Sequence, residues 1–447
     1  MFYIIDTIIQ LNKLFELINT NKWNLFVEYI SYNKLIHPKL NNISLIYLRP
    51  IEYHKGFIIG INHSESFNEI KLEEFNKLLN NTSNIKFCWD FKKSLYYNEY
   101  GDFNDLNFLN SCNNNINIEN ENMNVFNFFQ TKDYKFPNKL IPISKHYEYQ
   151  EVKFKKYVNN IIDYKIINES YYKELNNTSK IFYNLEKVGI PIDEDSETIK
   201  LIKDKDYHIL NNRGYLNYYL YNKTSRPSCT LSNINIYSLS KSNNEREFIT
   251  SSLNSNLIEI DYNGYHSRLV GRLISVELPK NDIYENYFKL QFPPEYTRKQ
   301  LKIGTISQLY GYTNKKLIEK EIFWKKVTQL KNYLWNNYNI GNLKSKIFNK
   351  PLSKILTKVN SSGKLLSYYI QNYETEFNSR IINNINTYIL ENSLNSVLIL
   401  YNFDSFLIEW SKDDSKFHFN NILKIIEDND FYLNIKFGKN YKELNSI

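Results

Sequence analysis

The chain has 447 residues, 42% of them hydrophobic, enough for roughly two to four domains with cores of their own, and this excludes a disordered or fibrous protein. Its 56 Lys and Arg against 48 Asp and Glu leave a net charge of +8, a mild basic bias that suits a polyanionic partner without requiring one. Cys88, Cys112 and Cys229 are widely separated and show no CxxC or HxxxH spacing, which argues against a disulfide scaffold or a zinc site and for a reducing compartment.

The N-terminal run "MFYIIDTIIQLNKLFELI" is broken by Asp6, Asn12, Lys13 and Glu16 before the roughly 20 apolar residues that a membrane span needs. It predicts an amphipathic core helix. With no other candidate span, a cytoplasmic protein without a membrane partner is expected. Residues 1 to about 140 alternate short apolar runs, such as "ISLIYLRPI" and "GFIIGIN", with helical patterns, and read as an α/β unit. Alanine is absent from the whole chain, whereas Asn, Lys, Ile, Tyr and Phe abound, as codon choice in an AT-rich genome would produce. The tract "NNNINIENENMN", Asn113 to Asn124, accordingly reads as a loop.

From about 141 to 190 the pattern is helical and stops at Gly189 and Pro191. "TSRPSCTLSNINIYSLSK", Thr224 to Lys241, has loop composition. "NLIEIDYNGYHSRLVGRLI" predicts a buried strand, Leu257 to Ile260, ending at Asp261 and leading into a helix near His266. A helix is expected from about Thr297, with more helices after it and another over Lys364 to Tyr388. "VLILYNFDSFLIEW" predicts a β-hairpin with Asp404 near its turn.

Two predicted strands therefore end in aspartates. Side by side, the Asp261 and Asp404 carboxylates would repel unless a cation lay between them, and hard oxygen ligands suit Mg²⁺. Taken without the rest of the chain, each reads more readily as a turn residue at a strand end. In "RKQLKIGTISQLYG" the residues Arg298, Lys302, Ile306 and Tyr310 recur every four positions, a helical stripe about 18 Å long. The two cations suit phosphate oxygens, and the apolar and aromatic residues suit a base and sugar. In isolation the same stripe is an ordinary amphipathic helix.

In combination and order, these segments resemble the family A (DNA polymerase I-like) DNA polymerases over roughly Ile181 to Trp410. "IFYNLEKVGIPID" looks like the segment leading into the polymerase domain. "TSRPSCTLSNIN" looks like the element whose Arg226, Asn233 and Asn235 would contact primer and template. "DYNGYHSRL" is similar to motif A, which implies that Asp261 is a metal ligand. "RKQLKIGTISQLYG" is similar to motif B, implying Arg298 and Lys302 as triphosphate ligands, Ile306 at the sugar and Tyr310 beside the templating base. "IQNYETEFN" implies a minor-groove contact for Gln371, and "FDS" stands where motif C would place the second metal ligand, Asp404. The resemblance implies a multidomain chain of α/β and α+β domains. A degenerate, exonuclease-like (RNase H-like) domain would occupy residues 1–140 and a polymerase domain 141–447, with a palm carrying both aspartates, fingers at about 280–345 and a thumb reduced to about 190–223. It implies template-directed addition of dNTPs to a primer by two Mg²⁺ ions, or Mn²⁺ in their place, with primer-template DNA as partner.

The sequence departs from that family in ways that set further expectations. His266 stands where motif A carries the glutamate that crowds the sugar 2′ position, and Ile306 replaces an aromatic residue, so discrimination against ribonucleotides is open. Phe403 and Ser405 flank Asp404 in place of His and Glu. Residues 194 to 223 leave no room for a full helical thumb, which predicts low processivity unless a processivity factor compensates. In the N-terminal region Asp90, in "NIKFCWDFKKSLYY", and the Tyr147 to Glu151 spacing are the only traces of exonuclease motifs. His63 and Glu65 of "NHSE" have no role in this reading. A polymerase that makes RNA or tolerates rNTPs, and an inactive nucleic-acid-binding relative, are the alternatives. A virus of an AT-rich bacterium is the source expected by analogy.

Overall fold

In the computed structural model every residue of the strand Ile43–Pro50 is buried, because the sheet to which it belongs is covered on both faces. The structure describes residues 3–33, 36–106, 140–162, 169–200, 202, 205–240, 244–356, 358–428 and 431–446. Cys112 and the Asn113–Asn124 tract lie outside them. The chain divides into two compact units, residues 1–187 with 206–208, and residues 188–205 with 209–447. The predicted helices after residue 140 thus pack with the first unit, and the division falls near 187.

The first unit holds β1 (Tyr3–Ile5), α1 (Ile8–Asn21), β2 (Leu25–Ser31), β3 (Ile43–Pro50), β4 (Phe57–Gly60), α2 (Leu72–Asn80), β5 (Lys86–Cys88), α3 (Phe91–Leu95), β6 (Asn104–Asp105), α4 (Ile143–Ile162) and α5 (Glu169–Val188). The sheet order is β1-β4-β3-β2-β5-β6, with β2, β3 and β4 antiparallel and β5 and β6 parallel to β2. Alternate residues of a strand point to opposite faces. Leu25, Val27 and Tyr29 of β2 accordingly join a core with Leu11, Leu14, Phe75 and Leu79 of α1 and α2, while Phe26 and Ile30 join Ile143 and Phe154 of α4 on the other face. The N-terminal run expected to be one helix starts as a strand. Thr7, in a reciprocal capping box with Gln10, fixes where the helix begins.

His63 and Glu65 acquire a structural role here. The Glu65 carboxylate accepts the Ile143 N–H at 2.8 Å, at the first residue of α4, and His63 Nε2 meets the Ile141 carbonyl at 2.9 Å. The pair clamps the chain as it enters α4. Glu65→Ala is expected to lower stability by about 1 kcal/mol, the usual worth of a lost helix cap, as read by urea denaturation.

The second unit contains β7 (Ile190–Pro191), α6 (Glu197–Lys200), β8 (Ile209–Leu210), β9 (Arg213–Gly214), β10 (Asn217–Tyr219), β11 (Ser228–Leu231), β12 (Ile234–Asn235), β13 (Ser255–Tyr262), α7 (Tyr265–Leu273), α8 (Ile283–Asn286), α9 (Arg298–Tyr310), α10 (Lys315–Lys320), α11 (Ile322–Asn339), α12 (Leu352–Ile355), α13 (Ser362–Glu391), β14 (Val397–Asn402), β15 (Ser405–Ser411), α14 (Lys416–Glu427), β16 (Leu433–Gly438) and β17 (Asn445–Ser446). The main sheet, β14-β15-β13-β16-β17, is antiparallel throughout. Within the stretch expected to be a loop, Ser228–Leu231 and Ile234–Asn235 instead form the β11–β12 hairpin: Thr230 pairs with Asn235 and Leu231 with Ile234, and Cys229 and Leu231 are buried. Among the described residues between 193 and 223, the longest helix is α6, with four residues. No helix of the described residues is long and apolar enough to cross a membrane.

Candidate active site

β13 and β15 pair in a register that sets Asp261 opposite Ser405, next to Asp404, and the Tyr262 N–H donates to the Asp404 carbonyl at 2.9 Å. The two aspartates, remote in sequence, are neighbours at one end of the sheet. Asp404 stands exposed in the two-residue turn between β14 and β15. Its neighbour Phe403 has φ +54°, a left-handed conformation costly for a bulky residue. Three contacts hold it: Asn378 Nδ2 donates to its carbonyl at 2.7 Å, the Tyr237 ring lies 4.4 Å from its ring, and the Arg226 guanidinium covers it at 4.4 Å.

Although solvent reaches the turn, the protein atoms crowded about the Asp404 carboxyl raise its pKa, the Glu374 carboxylate raises it further, and His266 and Lys302 pull it partly back. That places Lys302 of α9 within electrostatic reach of Asp404. A bound cation would relieve the repulsion. Among the described residues no group of three acidic, histidine or cysteine side chains forms a metal cluster, but Mg²⁺ commonly uses one or two carboxylates together with phosphate oxygens of its substrate. The donor set of Asp261 and Asp404 fits that mode.

After Asp261 the chain turns through Gly264, at φ +62°, where a Cβ would strike Ile283. This turn starts α7 and sets His266 one residue into it. His266 Nδ1 lies 2.6 Å from the Tyr310 hydroxyl, and its Nε2 lies 2.8 Å from an Arg226 Nη and 3.3 Å from Glu374 Oε1. Arg226 Nε also pairs with the other Glu374 oxygen. Burial disfavours the charge on Glu374, but His266 and Arg226 outweigh it and hold its carboxyl below the usual range.

α9 begins at Thr297 with a reciprocal capping box to Gln300. Leu301, Thr305 and Leu309 face the core, whereas Arg298 and Lys302 are exposed and Ile306 and Tyr310 half-buried. Arg298 is paired with Asp282, which also caps α8 through the Tyr284 and Glu285 N–H groups. Burial opposes the Asp282 charge, but Arg298 and these N–H groups hold its carboxyl low. At the other end of α9, the ammonium of buried Lys331 reaches the Gln308 carbonyl at 3.1 Å, the Gly311 carbonyl at 2.9 Å and the Thr313 hydroxyl at 3.0 Å. Gly363, in the first turn of α13, lies so close to the Tyr310 carbonyl that a Cβ there would collide with it. Gly363→Ala is expected to push α9 away and lower stability by roughly 2 kcal/mol, as read by urea denaturation.

Arg226 thus joins Asp261, Asp404, His266, Lys302 and Tyr310 around one end of the sheet. Asn233 and Asn235 lie exposed on the β11–β12 hairpin, and Asn235 Oδ1 accepts the Tyr237 N–H at 3.0 Å. Tyr237 then ties that hairpin to the Asp404 turn, its hydroxyl donating to the Tyr401 carbonyl at 2.9 Å. Gln371 is half-buried one turn before Glu374 on α13 and donates to Ser367 Oγ at 3.2 Å. Glu374, Asp282, Asn378 and Lys331 escaped the sequence reading. Glu374 and Lys331 left one signal, a charged residue in helical step with apolar ones: Ile370 and Ile381 for the first, Val327 and Leu334 for the second.

The sequence matches no protein-family model and no curated protein. The fold is that of a DNA polymerase POL domain. The solved POL domain of Pol1 from M. smegmatis, in complex with DNA primer-template and dNTP, is similar to this chain with a TM-score of 0.67, over 96% of this chain and 98% of that one, at 9% identity.

Proposed function

We propose that the protein is a template-directed DNA polymerase of the family A type, adding dNTPs to a primer 3′ end. The observation that carries this reading is the β13–β15 register, which sets Asp261 beside Asp404 with Lys302 of α9 close by. Asp261 and Asp404 would hold two Mg²⁺ ions, which when bound activate the primer hydroxyl and offset charge on the phosphates. Arg298 and Lys302, exposed one helical turn apart, would pair with triphosphate oxygens and offset charge on the leaving pyrophosphate. His266 and Tyr310 would wall the sugar, with Ile306 on the same stripe. Asn233, Asn235 and Gln371 would touch primer-template DNA, whereas Arg226 would act from within the wall.

The thumb is read as reduced, in keeping with the four-residue α6, and synthesis is accordingly distributive without a processivity factor. The N-terminal unit is read as exonuclease-like without proofreading. The order of three antiparallel strands followed by two parallel ones, β4-β3-β2-β5-β6, supports this reading. Three of its acidic residues serve internal partners: Glu151 binds the Tyr47 hydroxyl at 2.8 Å and the Gly56 N–H at 3.0 Å, Asp90 caps α3, and Glu28 lies 3.6 Å from the Lys153 ammonium.

The test is extension of a labelled primer on a defined template with Mg²⁺ and dNTPs. Template-dictated products, short when a heparin trap limits each enzyme to one encounter, are expected. No extension at any salt or with either Mg²⁺ or Mn²⁺ sinks the reading in favour of a binding module.

A further inference from the structure

We propose that Glu374 is the positioning residue for sugar selection, holding His266 rigid between α13 and α9; this rests on the polymerase reading above. Glu374 is fully buried, at 0% exposure, and a buried carboxylate is costly unless paired. Its two oxygens serve two residues, Arg226 through Nε and the Nε2 side of His266. His266 Nε2 lies against that pair, 2.8 Å from an Arg226 Nη and 3.3 Å from Glu374 Oε1. On the other side of the ring, Nδ1 meets the Tyr310 hydroxyl at 2.6 Å.

The imidazole is thereby fixed at both ring nitrogens, from α13 through Glu374 and Arg226 and from α9 through Tyr310. Arg226 has no freedom to turn aside, since it also lies over Phe403 beside Asp404. The carboxylate that the resemblance expects on α7 is thus supplied from α13, and it acts through the ring that replaced it. A wall pinned in one orientation cannot yield to an additional hydroxyl. Once Glu374 is removed, Arg226 loses its counter-charge and the ring is held from one side only.

The experiment compares single-nucleotide incorporation of dCTP and CTP opposite a templating dG by the wild type, Glu374→Ala, Glu374→Gln and His266→Ala, with thermal melts of each. Selectivity for dCTP is expected to fall about tenfold in Glu374→Ala and in His266→Ala, mainly through a lower KM for CTP. Glu374→Gln, with an acceptor on the same frame, falls between these and the wild type. If Glu374→Ala does not fold, Glu374→Gln decides: a reduced ratio supports the proposal and a wild-type ratio overturns it. Equal loss of rate for both nucleotides with an unchanged ratio overturns it too, as a purely structural role, and so does wild-type selectivity in His266→Ala. A wild type that incorporates neither nucleotide instead overturns the polymerase reading itself.

Discussion

Asp404→Asn is expected to reduce primer extension by on the order of 10³ or more while leaving the melting temperature equal to or above that of the wild type. The stability half follows from the raised pKa of the Asp404 carboxyl. A carboxyl whose folded pKa lies above its unfolded value binds its proton more tightly when folded, so its charge at neutral pH works against folding. Asparagine keeps the shape, removes the repulsion from Glu374 and leaves intact the backbone carbonyl that accepts the Tyr262 N–H. A second readout does not depend on activity. Mg²⁺ should raise the melting temperature of the wild type by mass action and do less for Asp404→Asn. A variant that melts well below the wild type, or that still extends primers, would show that this carboxylate is a structural turn residue.

Lys331→Met is expected to destabilise the protein, and by an amount that grows with pH. Methionine fills the space of the lysine stem but strands the Gln308 and Gly311 carbonyls and the Thr313 hydroxyl at the end of α9, at a cost of about 2 kcal/mol. Burial lowers the Lys331 pKa to about 8. Between that value and the ordinary lysine range the unfolded chain binds more protons than the folded one, so the stability of the wild type rises with pH across this window. The penalty for burying the charge is complete below pH 8 and is relieved above it. Over the full window the wild type should gain on the variant by about 3 kcal/mol. Urea denaturation of both proteins from pH 7 to 10 measures this, and a gap that stays constant or narrows refutes the lowered pKa. Other groups titrating in that range cancel in the difference.

Much of the site was legible because its residues obey local rules. A two-residue turn between apolar runs announces a hairpin, and Asp404 falls in that turn. Asp261 follows a run of buried strand residues, and the four-residue spacing of Arg298, Lys302, Ile306 and Tyr310 is helical. The pairing of β13 with β15 was not legible, since strand partners remote in sequence are chosen by packing. The same holds for the order of the N-terminal sheet, in which β5 lies beside β2 and not beside β4. The division of the chain near 187 was obscured because a helical pattern carries no record of the unit on which it packs. Glu374 was harder to read for a different reason: its helical step with Ile370 and Ile381 hints at burial, but only the tertiary contacts with Arg226 and His266 give it a role. The β11–β12 hairpin was masked by its polar composition, its few apolar residues being the ones that turn inward.

The pairing of Arg298 with Asp282 means that this arginine already has a counterion before any anion arrives. A phosphate docking there would exchange partners with it, one carboxylate being released to water as one phosphate oxygen is taken up. The net gain is the difference between two pairings, smaller than the worth of either. In return the guanidinium is oriented in advance, so that part of the ordering is complete before an incoming anion arrives. Such an exchange would also filter ligands, since a polyvalent anion competes with the carboxylate better than a weakly charged one.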